Sequence, residues 1–248
     1  IGIATASIDS IANGGSVTLT ATAGSILDQA NDALADVIAD SVTLAASTGI
    51  GASAGNGSID VNVSTVTSAT SATGGIYLNL LNDASAANSL AANHAVTVTL
   101  ADATVSGDIV LTGTAGTGDR ILTLVDTNNG NISVQVAGGN LILGVLTAGT
   151  GGPLGTVSVD TDAGAIEDNA NDALVDVIGS QASLSATAGI GSGVNGSIDT
   201  TVPQLSAYNS ATGDIRIVNS IDLELLNLGI TPGGQAVLNT AVGGLVNI

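Results

Sequence analysis

A chain of 248 residues sets 21 acidic side chains against two arginines, Arg120 and Arg216, for a formal net charge of -19. That leaves too little positive charge to neutralise nucleic-acid phosphates or hold an anionic membrane surface. Cys, Met, Trp and Phe are absent, Gly reaches 34 residues, and 44% of the chain is hydrophobic and almost wholly aliphatic. A mean hydropathy of +0.52 argues against disorder, and no apolar run approaches the roughly 18–20 residues of a membrane-spanning helix.

The predicted elements follow one another as short strands. SVTLTAT at residues 16–22 alternates apolar and small polar side chains, as a strand with one buried face does. SVTLA at 41–45, AVTVTL at 95–100, DIVLT at 108–112, NISVQV at 131–136 and TVSVD at 156–160 repeat the pattern. Gly-Gly, Asn-Gly and Gly-Asp steps punctuate them with turn chemistry. Val17, Leu19, Ile26, Val42, Leu44 and Ile50 are the first of the side chains expected to point inward, and Ile215 and Ile217 are the last.

An internal duplication decides among all-β architectures. Residues 24–51 (GSILDQANDALADVIADSVTLAASTGIG) and 164–191 (GAIEDNANDALVDVIGSQASLSATAGIG) share 16 of 28 positions. After a one-residue slip, GSID at 57–60 recurs at 196–199 and SATG at 71–74 recurs at 210–213. Coils can be copied whole, so the expectation is an all-β parallel β-helix (β-solenoid) built from duplicated multi-coil units. One continuous solenoid spans residues 1–248, with units at about 14–152 and 153–242. GGLVNI at 243–248 reads as the start of another unit, as in a window from a longer array. Roughly 20–25 residues per coil, stacked about 4.8 Å apart, predict on the order of ten to twelve coils and a rod of about 50 Å.

Chemistry-bearing candidates are few. Asp28, Asp32, Asp36 and Asp40 lie four apart, and the duplicate keeps Asp168, Asp172 and Asp176. On a helix they would form a self-repelling stripe. The repeat favours a loop over 28–35 that returns into strand. Clustered carboxylates suit Ca²⁺, although neither the EF-hand pattern nor the calcium-binding β-roll repeat is present. The plainer reading of the segment is a solvated acidic loop with no cofactor.

Asp160 with Asp162, and Asp222 with Glu224, are the pairs available for acid–base work. Strand alternation puts each pair on an exposed face, and no enzyme is expected. His94 has no partner His or Cys. The row Thr18, Thr20, Thr22 is not sustained over later segments, and Tyr77 and Tyr208 are too few for a sugar platform. Asn56, Asn62, Asn131 and Asn195 head Asn-x-Ser sequons.

GGSVTLTATAGSILD at 14–28, VTLAASTGIG at 42–51, GSID at 57–60 and SATGGIYL at 71–78 resemble the repeats of filamentous-haemagglutinin-like giant secreted bacterial adhesins and exoproteins. The likeness covers nearly the whole chain and is weakest over residues 80–152. It implies a right-handed β-helix, export to the extracellular space or cell surface, and a structural role in adhesion, biofilm matrix or filaments. It transfers no catalytic residues. The expected function is an extracellular rod, stalk or filament segment whose partners are copies of itself, end to end or laterally. The alternatives are a glycan- or protein-binding module using a loop such as residues 81–94, and, behind it, a polysaccharide-active β-helix enzyme.

Overall fold

The computed structural model describes residues 2–3, 8–9, 15–83, 90–114, 116–191, 196–229, 234–240 and 246–247. Among these residues every regular element is a strand, and every strand pairing is parallel. No helix among them is long and apolar enough to cross a membrane. The chain winds as a β-solenoid between two sheets, of 14 and 12 strands. It alternates sides along its length: Ser16–Ala21 lies in the smaller sheet, Ser25–Asp28 in the larger, Ser41–Ala46 in the smaller again.

Period-two alternation and coil length together build the core. Ile109–Gly113 buries Ile109, Leu111 and Gly113 while Val110 and Thr112 stay half-exposed. Register then stacks like on like. Ile26 pairs with Ile50, Ile50 with Ile76, Ile76 with Ile109, Ile109 with Ile132 and Ile132 with Val157. Burying each such side chain contributes roughly 1.5–3 kcal/mol, and the column needs no aromatic ring to fill it. The inward candidates named from the sequence are buried, except that Leu19 is only partly so. Most steps of this column span 23–26 residues, but the step from Ile76 to Ile109 spans 33. That coil carries the irregular stretch expected over 81–94, of which residues 84–89 lie outside the described set.

Glycine spacing follows coil spacing at one corner. A Cβ on Gly107, whose φ is +128°, would meet the backbone of Gly74 at 2.5 Å. One on Gly130 would meet the Gly107 carbonyl at 2.2 Å, and one on Gly155 the Gly130 carbonyl at 1.9 Å. Successive coils pass so closely there that only hydrogen fits.

The duplicated segments land on opposite sheets. Ser25–Asp28, Val37–Ile38 and Ile59–Asn62 belong to the larger sheet. Their counterparts Ile166–Asp168, Val177–Ile178 and Ile198–Thr201 belong to the smaller. From Ser16–Ala21 five steps within the smaller sheet reach Leu141–Ala148, and the chain then crosses to Thr156–Thr161, the copy of the starting strand. The repeating unit therefore measures five and a half turns, and whatever it displays appears on both faces of the solenoid.

Candidate metal centre

The acidic segment forms a loop, and its own side chains shape it. Strand Ser25–Asp28 ends at the first aspartate. The Asp28 Oδ1 accepts from the Asn31 amide at 2.9 Å, and the Asp32 Oδ1 accepts from the Leu34 amide at 2.8 Å. Such Asx-type bonds favour turns over helix, and Asn31 sits in the left-handed region at φ 52°. The loop then lies against the next coil. The Asp36 amide donates to the Asp60 carbonyl at 2.8 Å, and the Asp60 amide donates to the Asp36 Oδ2 at 3.0 Å. Asp60 follows the inward Ile59 and should face solvent, yet it is only 2% exposed beneath this strap.

Three carboxylates are thereby brought together. Asp28, Asp36 and Asp60 each offer an oxygen, and the three oxygens lie within 4.8 Å of one another. The duplicate rebuilds the arrangement with Asp168, Asp176 and Asp199, also within 4.8 Å. There the Asp176 amide donates to the Asp199 carbonyl and the Asp199 amide to the Asp176 Oδ2, each at 2.7 Å. Asn171 repeats the left-handed turn at φ 49°. Among the described residues these are the two groups of three or more potential metal-ligating side chains.

The copies differ in how they are satisfied. Asp168 accepts from the Ala170 amide at 2.8 Å through Oδ1 and from the Asp172 amide at 3.1 Å through Oδ2. The Asp28 Oδ2 is buried and has no hydrogen-bond partner. Asp60 accepts from the Asn79 side-chain nitrogen at 2.5 Å, whereas Asp199 is in register with Val218, whose side chain has nothing to donate. A cleft of about 280 Å³ opens beside the first triad, between Asp32, Asn56, Ser58, Asp60, Asn79 and Thr112.

Burial and mutual repulsion disfavour charge on these groups. Burial, reinforced by Asp28 and Asp32, pushes Asp36 up to about 6. Burial with the neighbouring carboxylates pushes Asp60 up to about 7, although the Asn79 hydrogen bond opposes this. Asp176 is pushed up to about 8 by burial and then by its acidic neighbours, and Asp199 is raised for the same reasons.

Of the seven aspartates singled out in the sequence, the structure gathers Asp28, Asp36, Asp168 and Asp176. Asp32 and Asp172 stay at the loop tips, where they hold the Leu34 and Leu174 amides. Asp40 lies past the loop, with its amide on the Gly15 carbonyl and its carbonyl accepting from Ser64. The third members, Asp60 and Asp199, went unrecognised in the sequence. The recurring GSID contains both, and each lies one coil beyond its partner: 24 residues separate Asp36 from Asp60, and 23 separate Asp176 from Asp199.

The other candidates scatter. Arg120 is fully buried in the core column between Val96 and Leu141, with its guanidinium on the Gly118 and Leu80 carbonyls. Burial pulls its pKa down to about 10. Arg216 pairs with Asp214 at 3.0 Å on the surface. The His94 ring nitrogens face the Ala91 and Val63 carbonyls. Asp162, Asp222 and Glu224 are exposed and Asp160 half-buried, and none of them joins a cluster. Thr18 continues as Thr43 on the next coil, but Thr20 is followed by Ala45, so the threonine row stops. Sequon residues Asn56 and Asn131 are exposed, Asn62 is buried, and Asn195 lies outside the described residues.

A scan of protein-family models and searches of the curated proteins and of the solved structures return no match to the chain.

Proposed function

We propose that the chain is a rod segment of a giant bacterial surface or matrix protein, a structural and adhesive repeat working outside the cell. The observation that carries this reading is the alternation between two parallel sheets along the chain. Such a body grows in length by copying coils and keeps its cross-section. The duplication of residues 24–51 at 164–191 records that kind of growth. A surface nearly free of Lys and Arg offers trypsin-like proteases almost nothing to cut, which suits exposure outside the cell. Parallel ladders also extend by adding strands at their ends, so the natural partners are neighbouring repeats and further copies of the chain.

Two tests follow. A tandem fusion of two copies, measured by small-angle X-ray scattering, should double the long dimension from about 50 Å while the cross-sectional radius stays constant. A fusion that collapses to a compact particle would overturn the rod. Beads coated with the chain should adhere to surfaces or to one another more than beads coated with an acidic globular protein. Equal adhesion would remove the adhesive half of the reading.

A further inference from the structure

We infer that the aspartate triad Asp28–Asp36–Asp60 is a calcium site that staples successive coils of the solenoid. Carboxylate oxygens within 4.8 Å of one another can share an ion. Calcium takes oxygen ligands at about 2.3–2.6 Å, so oxygens sharing one ion stand no more than about 4.6–5.2 Å apart, and the three oxygens fall within that limit. Magnesium demands strict octahedral geometry and gives up its waters reluctantly, so it is seldom held by a cluster of protein carboxylates alone. Both triads are all-carboxylate, with no His or Cys, which disfavours zinc and copper.

The second observation is an oxygen with nothing to bind. Asp28 Oδ2 is shut off from solvent and makes no hydrogen bond, although its partner oxygen Oδ1 is held by the Asn31 amide. A buried carboxylate oxygen without a donor is costly, and a cation is what would satisfy it there. Neither arginine serves the triads: Arg120 is committed to the Gly118 and Leu80 carbonyls and Arg216 to Asp214. The duplication is a further argument. Across 28 aligned positions 12 have changed, yet Asp28 and Asp36 persist as Asp168 and Asp176, and GSID keeps the third carboxylate.

The mechanical consequence comes from where the ligands sit. Asp28 and Asp36 flank one loop, while Asp60 belongs to the coil above, joined by the Asp36 amide on the Asp60 carbonyl and the Asp60 amide on the Asp36 carboxylate. An ion at the triad ties the loop to that coil. The inference does not depend on the chain working as a rod or outside the cell.

The test is calorimetric titration of CaCl₂ into the full chain after EDTA treatment and dialysis at about pH 7.5, with thermal unfolding in parallel. The parent should bind one ion at the triad, and Asp60→Asn should lower its affinity at least about tenfold. At calcium about a hundredfold above the dissociation constant, the parent should melt about 5 °C or more higher than in EDTA. Circular dichroism confirms that the variant remains folded. Absence of both heat and melting shift at about 10 mM calcium would overturn the inference. So would undiminished binding in Asp60→Asn, or an equal shift from NaCl at matched ionic strength. An equal shift from magnesium would overturn the choice of calcium.

Discussion

Replacing Asp36 by Asn should stabilise the metal-free protein at alkaline pH. The side chain is 8% exposed, and its Oδ2 accepts from the Asp60 amide. An Asn oxygen can accept the same bond, so the change removes charge while keeping geometry. Burial raises the Asp36 pKa from 3.8 to about 6, so the folded state binds its proton more tightly than the unfolded chain does. Stability must then fall as pH rises from about 4 through about 6. The worked difference is about 3 kcal/mol at full ionisation. Protonating one carboxylate relieves its neighbours, so the contributions of Asp36 and Asp60 do not add. For a chain of this size about 3 kcal/mol corresponds to roughly 6–12 °C in melting temperature. The assay is thermal unfolding in EDTA, followed by circular dichroism, of parent and variant from about pH 4 to about pH 8. General repulsion at -19 weakens both proteins as pH rises, so the difference between them isolates the triad. It should be near zero at about pH 4 and largest at about pH 8. A variant less stable than the parent at about pH 8, or a difference independent of pH, would refute the reasoning.

Other perturbations test the architecture. Excising residues 132–156, one whole coil by the pairing of Ile132 with Val157, should leave a folded and shorter solenoid by circular dichroism and scattering. Removing about half that length should not, because it drives each later strand onto the wrong sheet. Ile109→Ala, in the column between Ile76 and Ile132, should cost about 2–5 kcal/mol in urea unfolding. Arg120→Ala should cost about 3 kcal/mol, because it opens a hole in the core and takes a donor away from the Leu80 and Gly118 carbonyls. Leu34→Ser with Leu174→Ser, at loop tips 74% and 70% exposed, should change stability by no more than about 0.5 kcal/mol per site.

Much of the fold is legible in the sequence, because a solenoid writes local rules repeatedly. Alternation marks Ile109 and Leu111 as inward, and the duplication shows that coils are modular. The acidic segment reads correctly as a loop returning to strand at Val37–Ile38. The candidate site is legible only in half. Spacing by four brings in Asp32 and Asp40, since period four belongs to helices and this chain has none among its described residues. In a solenoid the neighbour that matters lies one coil away, so Asp60 and Asp199 answer to a period near 24. Arg120 escapes for a different reason. Alternation places it inward beside Leu122, but no local pattern says that carbonyls wait there to receive a guanidinium.

A repeat of five and a half turns behaves as a two-fold screw rather than a simple translation. Adding one unit moves a feature along the axis and turns it to the far side, and only the second addition restores its orientation. An array lengthened this way would carry its acidic straps and protruding leucines left and right in turn, with a true period of eleven turns. A partner that bound one strap would therefore find the next one facing the opposite flank, and could not follow a single side of the rod from one unit to the next.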